Sequence, residues 1–291
     1  MPMQALSGVD IALWDIAGKV ANLPLYQLIG GAHRQHIPVY GYGMMLRPEP
    51  LEDLTVRFKE EARAIKDMGF VATKMKVGLG PRADIKLAEA VRRGIGDDFR
   101  FMVDANHCYT TSDAFEVGRA LEDLDAYWFE EPIAPEDLQG YRELRAGLNV
   151  NISGGEAEFN RWGWRSLLES RGLDIAQPEV CALGGISEYL RVLALCHAHF
   201  TPVVNHVWGS AVAVATNMHL LASMPDLPGG MNPWEPMLEF DTTDNKFRDE
   251  LLETPLEIQA QVARTNGYIA LPEGPGLGIT PDRDFLQYFA L

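Results

Sequence analysis

Between residues 36 and 240 the chain repeats one unit, a short run of β-type residues followed by an amphipathic stretch. The runs are IPVYGYGMM (37–45), ATKMKVG (72–78), RFMVDAN (100–106), YWFEEP (127–132), VNISGGE (150–156), LDIAQPE (173–179), PVVNHVW (202–208) and EPMLEF (235–240). Between them lie stretches such as 51–68, with Leu51, Leu54, Phe58, Ala62 and Ile65, and 111–124, with Ala114, Val117, Leu121 and Leu124. Their steps of three and four mark one face of a helix. Strand and helix alternating at this rhythm make βα units and a parallel sheet.

An open doubly wound sheet and a closed barrel share that rhythm, and the polar residues separate them. Lys74 and Lys76, Asp104, Glu130, Glu156, Glu179, His206 and Glu239 stand at or near the carboxyl ends of successive runs. An open sheet strings such groups along a line, whereas a barrel gathers them at one mouth, where active sites of that architecture sit. The chain therefore reads as α/β, a TIM-like barrel, and its 291 residues hold one such barrel, which takes ~250 residues. Ahead of the barrel, Leu6, Val9, Leu13 and Ile16 fall at helical spacing with Ser7 as a cap, and a second short helix starts at Pro24 and stops at Gly30-Gly31. Behind it, FRDELLETPLEI reads as helical, a short strand falls around Gly267-Tyr268-Ile269, and GPGLG (274–278) reads as a turn.

Lys and Arg number 25 against 41 Asp and Glu, a net charge of −16. That balance repels phosphate backbones and anionic membrane surfaces, so neither nucleic acid nor membrane is expected as a partner. An anionic small molecule stays open, because a bound divalent cation reverses the local sign at a carboxylate-rich site. Cys108, Cys181 and Cys196 are an odd number without a close pair, which suits buried thiols in a reducing compartment. The N-terminus carries no basic region followed by an apolar run, and no stretch is apolar enough to span a bilayer. The expectation is a soluble, cytoplasmic protein.

Asp104, Glu130 and Glu156 end three consecutive runs. Three like charges brought together are costly unless a cation sits among them. Hard oxygen ligands of this kind suit Mg²⁺, with Mn²⁺ as a substitute. In Lys74-Met75-Lys76 the period of two sends both ammonium groups to the same side of the strand, where each should depress the other's pKa and prepare a lysine to act as a base. His206 comes from the opposite side of the barrel, so two proton-transfer groups would flank a substrate, and Glu179 could hold its second ring nitrogen. His197 and His199, two apart on a helix, point to different sides and make no metal pair. GLG (78–80) reads as a turn and not a phosphate loop, and Cys108 lacks a nucleophile signature.

These residues resemble the enolase superfamily, and within it the mandelate racemase group. The resemblance rests on Lys74-x-Lys76, Asp104-Ala105-Asn106, Phe129-Glu130-Glu131-Pro132, Gly154-Gly155-Glu156, Gln177-Pro178-Glu179 with Gly184-Gly185, Asn205-His206-Val207-Trp208-Gly209, and SGVDIALWDIAGK (7–19). It implies a (β/α)7β barrel with remnants of an α+β capping domain. It also implies one Mg²⁺ on Asp104, Glu130 and Glu156, which would bind a substrate carboxylate and stabilise the enediolate formed when an α-proton leaves. Lys76 would be the base on one face and His206 the acid or base on the other. Lys74 would tune Lys76 and contact the carboxylate, Glu239 would orient the enediolate oxygens, and Asn106 would join Lys74 and Glu239 in binding substrate. DANHCY, QPEVCALGGISE, NHVWGSAV and NPWEPMLEFDTTDNKFRDELL are most similar to galactarolactone cycloisomerases, which open a sugar-diacid lactone by β-elimination to a 3-deoxy-2-keto acid. Dehydratases that lose water, and racemases or epimerases that exchange one proton between two bases, are the enzyme alternatives. A non-catalytic barrel is the alternative of another class.

Two departures qualify the resemblance. The family usually has Asp where this chain has Glu179, and the extra methylene, about one bond of ~1.5 Å, should disturb a hydrogen bond that orients the histidine. Family members also begin with a capping domain whose loops close over the barrel. Here residues 1–35 read as its remnant helices, 36–240 as the barrel, and 241–291 as a segment folding back toward the cap. An uncapped barrel exposes apolar surface, and a homo-oligomer is expected. The expectation is a piece of a longer enzyme, or a natural truncation with weak or no turnover. Mass spectrometry of the native protein should then give more than 32.3 kDa; that mass from the natural gene would leave only the truncation.

Overall fold

The computed structural model describes residues 2–227 and 234–289. Its strands are β1 (His36–Tyr42), β2 (Ala72–Lys76), β3 (Arg100–Asp104), β4 (Trp128–Glu130), β5 (Asn151–Gly154), β6 (Ile175–Ala176), β7 (Leu238–Asp241) and β8 (Tyr268–Ala270). They form one curled sheet in the order β6-β5-β4-β3-β2-β1-β7, each neighbouring pair parallel. β8 adds antiparallel to the start of β1, with Ile37 opposite Ile269. The architecture is the α/β TIM-like barrel expected from the alternation.

One expected strand is largely absent. The run 202–208 contributes a single bridge, Val203 to Ala176. Pro202 offers no N–H, and the rest of the run finds partners piecemeal. Val204 N–H donates to the Ala176 carbonyl (3.0 Å) and His206 N–H to the Pro178 carbonyl (3.3 Å). On the other edge the Trp234 indole donates to the Val203 carbonyl (3.1 Å), and Val207 N–H donates to the Glu239 carboxylate (2.8 Å). Backbone bonds, among them Ala176 N–H to the Pro202 carbonyl (2.8 Å), therefore join this run to β6, while side chains join it on the β7 edge.

Two apolar layers hold the fold. Outside the sheet, helix Leu51–Asp67 buries Leu54, Phe58, Ala62 and Ile65, and helix Thr111–Asp123 buries Ala114, Val117 and Leu121, with the Thr110 hydroxyl accepting from Asp113 N–H. Inside, Tyr40, Ala72, Met102, Trp128, Ile175, Val204 and Met237 form a separate cluster that plugs the barrel. Trp128 is fully buried, and truncating such a side chain to alanine costs about 3–5 kcal/mol.

The flanking segments correct several expectations. The first helix runs Pro2–Ala21, so Ser7 is not its cap; the Ser7 hydroxyl donates to the Met3 carbonyl and accepts from Gly184 N–H (3.0 Å). The face it buries is Ser7, Ile11 and Gly18, while Leu6, Val9, Leu13 and Ile16 are all more than half exposed. Gly18 lies against Gly276, whose Cα would sit 2.6 Å from any added Cβ, so the helix meets the GPGLG turn backbone to backbone. Leu25 N–H and Gly276 N–H each donate across that junction, to the Gly276 and Leu23 carbonyls. FRDELLETPLEI is broken: helices occupy Lys246–Asp249 and Ile258–Thr265, with Pro255 between them, since a proline disfavours helical geometry in the residue before it. Cys108 is exposed in the turn after β3, while Cys196 is buried. Among the described residues no helix is long and apolar enough to cross a membrane.

His219, wholly buried on helix Ala211–Ser223, ties this helix to the N-terminal segment. Its Nδ1 accepts from Tyr26 N–H (3.2 Å) and its ring stacks on that tyrosine. Burial pushes its pKa down to about 4. An unfolded histidine protonates near ~6.5, so as pH falls the unfolded chain takes up this proton first. The stability contributed by the neutral ring is complete above ~6.5 and is lost on descending toward 4, about 3 kcal/mol in all. Urea unfolding of the native chain and of His219→Gln at pH 7 and pH 4 should show the difference between them shift by that amount; a constant difference would show that the ring is not held neutral.

Candidate active site

Strand alternation decides which side chains enter the barrel. Met75, Val103 and Phe129 face the helices, while Ala72, Met102 and Trp128 pack inside. Lys74 and Lys76, Asp104 and Glu130 fall on the inner parity, above that apolar plug. The register sets Lys76 beside Asp104 and Asp104 beside Glu130 on three neighbouring strands. Glu156 reaches the same layer through a turn at Gly155, whose φ of +117° and contact with the Trp164 ring, 2.4 Å from any added Cβ, admit only glycine.

Asp104, Glu130 and Glu156 each present an oxygen within 4.8 Å of the others. The Lys74 ammonium, 1% exposed, lies 2.6 Å from Glu130, 2.6 Å from Glu239 and 3.4 Å from Asp104. Lys76 donates to Asp104 at 2.5 Å. The remaining Glu130 oxygen accepts from the Trp128 indole (2.9 Å) and the Gln177 amide (2.7 Å), and Asp104 Oδ1 accepts from Asn106 N–H (3.0 Å). Neither partner of Glu130 was foreseen, although each stands two residues before an expected site residue on the same run, where the period of two puts it on the same face.

On the other wall, His206 Nδ1 lies 2.7 Å from Glu179 and Nε2 lies 3.1 Å from Glu156. The second Glu179 oxygen accepts from Cys181 N–H (2.7 Å), capping the turn of helix that follows. The longer side chain thus reaches the ring, and the disturbance expected from the extra methylene is not seen. Tyr42, Met45, Lys76, Asn106, Glu156, His206, Trp208 and Glu239 line one cavity of about 250 Å³. The sequence does not single out Tyr42 and Met45 as site residues, and Trp208 enters only within a motif, because their types carry no charge to mark them. His197 and His199 lie away from it on the helix Gly185–Ala198 and its cap.

The charges organise one another. Burial pushes Asp104 up, but Lys74 and Lys76 outweigh it and hold the carboxyl well below its usual range. Glu130 is raised, by burial first and then by Asp104. Glu131, also buried, is pushed up to about 9 by burial and by Glu156. Lys74 overturns the expected lysine pairing effect: burial lowers its pKa, yet Glu130 and Glu239 raise it well above the ordinary value. That ammonium is a fixed charge. His206 is lowered by burial and raised more by Glu156 and Glu179, to about 10. Six carboxyl groups (Asp104, Glu130, Glu131, Glu156, Glu179 and Glu239) face three cationic side chains, and the raised values of Glu130 and Glu131 record burial first and then mutual repulsion, which a divalent cation among these hard oxygen donors would relieve.

Comparisons with known proteins agree with this geometry. Residues 57–285 match the family described as enolase C-terminal domain-like, and residues 1–30 match the mandelate racemase / muconate lactonizing enzyme N-terminal domain. The D-galactarolactone cycloisomerase of Agrobacterium fabrum is 39% identical over 294 residues, covering 100% of this chain and 75% of the relative. The arabinonate dehydratase of Saccharolobus solfataricus is 35% identical over 276 residues, 94% of this chain and 69% of the relative. The crystal structure of the 3,6-anhydro-D-galactonate cycloisomerase from Zobellia galactanivorans superposes with a TM-score of 0.86 at 39% identity, over 99% of this chain and 75% of that one. These relatives are enzymes, cycloisomerases and a dehydratase of small acid sugars. A curled parallel sheet with acids and lysines at its carboxyl edge, matched by family over most of its length, places the chain in the enolase superfamily, in the branch of mandelate racemase and muconate lactonizing enzyme.

Proposed function

We propose that the chain removes the α-proton of a sugar acid or sugar-diacid lactone through an enediolate and eliminates the β-oxygen, giving a 3-deoxy-2-keto acid. The observation that carries this reading is that Lys76 and His206 line one cavity from different walls with Glu156 between them. Asp104, Glu130 and Glu156 would hold Mg²⁺, with Mn²⁺ as a substitute, and the donor set fits a hard cation. When bound, that ion supplies Lewis-acid stabilisation of the charge on the substrate carboxylate.

The chain's own groups would do the rest. Lys76 Nζ takes the α-proton, and the C–H electrons form the enediolate. As these electrons return to form the Cα–Cβ double bond, the Cβ–O bond breaks and the oxygen leaves with its pair. In a lactone that oxygen remains attached as the second carboxylate, so no atom is lost; the enol then tautomerises to the ketone. His206, protonated near neutral pH and held by Glu179, stands ready as the proton donor. The buried Lys74 and Glu239 fix the charge pattern beside the reacting carboxylate, and Asn106 lines the cavity as a substrate contact. Lactone opening is favoured by the cycloisomerase relative; loss of water instead is the second reading, favoured by the dehydratase. Residues 1–35 are taken as helices of a capping domain, 36–240 as the catalytic barrel and 241–291 as the returning segment, supported by the Leu25–Gly276 junction. A cytoplasmic homo-oligomer is the accompanying proposal.

Incubation with Mg²⁺ and a panel of sugar diacids and their lactones in D₂O, followed by NMR, should give deuterated 3-deoxy-2-keto product. Lys76→Ala should slow its formation by ~10²–10⁴-fold, and unchanged conversion would remove Lys76 as the base. A second readout needs no turnover. In the metal-free protein NMR should find His206 titrating at about 10. Mg²⁺ should lower that value by a unit or more, because a cation at Glu156 cancels the charge that raises it. Glu179→Gln should lower it as well; a value indifferent to Mg²⁺ would place the ion elsewhere.

A further inference from the structure

A second donor set shares Glu156. His107, Glu131 and Glu156 each offer a ligand atom, and these atoms also lie within 4.8 Å of one another. His107 follows β3 and Glu131 follows β4, and His107 N–H donates to the Glu131 carbonyl (2.8 Å), so the two loops are fixed together. Glu131 is fully buried. Its Oε1 accepts a long bond from Gly155 N–H (3.4 Å), and among the described residues its Oε2 accepts none. His107 Nδ1 is buried and unpartnered too.

His107 Nε2 stands 3.1 Å from that Glu131 oxygen without hydrogen-bond alignment. Two ligands ~2.1 Å from one octahedral cation are ~3.0 Å apart, so this separation is the edge of a coordination polyhedron. Charge points the same way. The ammonium groups of Lys74 and Lys76 contact Asp104, Glu130 and Glu239, and among the described residues none contacts Glu131. Ionised, Glu131 would hold a buried carboxylate oxygen with neither lysine nor aligned donor, a cost that a bound cation would remove.

We propose that His107, Glu131 and Glu156 form a second divalent-cation site, with Glu156 bridging to the site on Asp104 and Glu130. One imidazole beside two carboxylates suits Zn²⁺ better than Mg²⁺, and Mn²⁺, hard but higher than Mg²⁺ in nitrogen affinity, serves as the paramagnetic probe of the site. The bridge rests on the reading of the first site; the donor set of the second does not.

Mn²⁺ alone, titrated into the full chain and counted by EPR of the free ion and by elemental analysis of desalted protein, tests this. Two ions per chain are expected, with the exchange coupling of a pair ~3.5–4 Å apart. His107→Ala should retain one ion and lose the coupling. Asp104→Asn should lose the other ion and keep the one whose pulsed-EPR spectrum shows a histidine nitrogen. One ion in both the native chain and His107→Ala overturns the second site alone, as do two ions in both. No ion in the native chain overturns the first site as well. Should His107→Ala fail to fold by circular dichroism, Glu131→Gln carries the same expectations.

Discussion

The Lys74 ammonium is the interaction on which the rest of the site depends. It is buried at the junction of β2, β3, β4 and β7, in contact with Asp104, Glu130 and Glu239. Taking an ion out of water costs several kcal/mol even after relaxation, and three acids in one dry layer would multiply that cost. One cation shared among the three offsets it, and the Trp128 indole, the Gln177 amide and the backbone N–H groups of Asn106 and Val207 satisfy the other carboxylate oxygens. Glu239 is bonded both to Lys74 and to Val207 N–H. The same ion pair therefore anchors the β7 side of the run 202–208, whose backbone bonds go to β6.

The apolar plug and the charged layer are consequences of one pattern. Along β3 and β4 the inner positions read Met102, Asp104 and Trp128, Glu130, so each strand supplies a hydrophobic floor and then an acid two residues on. The floor excludes water from below, which strengthens every charge interaction above it. Because the floor is made of side chains in contact, the acids cannot sink to separate, and their mutual repulsion is kept for a cation to relieve.

Most of this was legible in the sequence. The βα rhythm gave the sheet, and acids and lysines at run ends marked the residues that the fold brings together. What stayed hidden depends on which side of an element meets a neighbour. Leu6, Val9, Leu13 and Ile16 have the right spacing for a helix, yet the packed face is Ser7, Ile11 and Gly18, because close approach to Gly276 rewards small residues over large ones. The run 202–208 has strand composition, but pairing depends on donors across a gap that one sequence does not reveal. Glu131 was quoted only as part of a motif: it lies one residue from Glu130, so alternation assigns it to the opposite face. A φ of +40° at Glu131 breaks that alternation and brings its carboxylate to Gly155 N–H and beside His107.

The layers also differ in wetness, and that difference sorts the roles. Lys74, Asp104, Glu130 and Glu239 are at most 1% exposed, so their charges are fixed by one another and respond little to solvent. Lys76, Glu156 and His206 are partly exposed, at 15%, 21% and 12% of their side chains, and line the cavity together with Trp208. A group that must gain and lose a proton has to exchange it with water between turnovers, whereas a group that stabilises developing charge works best where water is excluded. The dry layer therefore supplies the field and the half-wet layer moves the proton. Glu156 belongs to both, since it joins the acids below and touches the His206 ring above, and a cation drawn to it changes the charge felt by the proton-transfer side of the cavity.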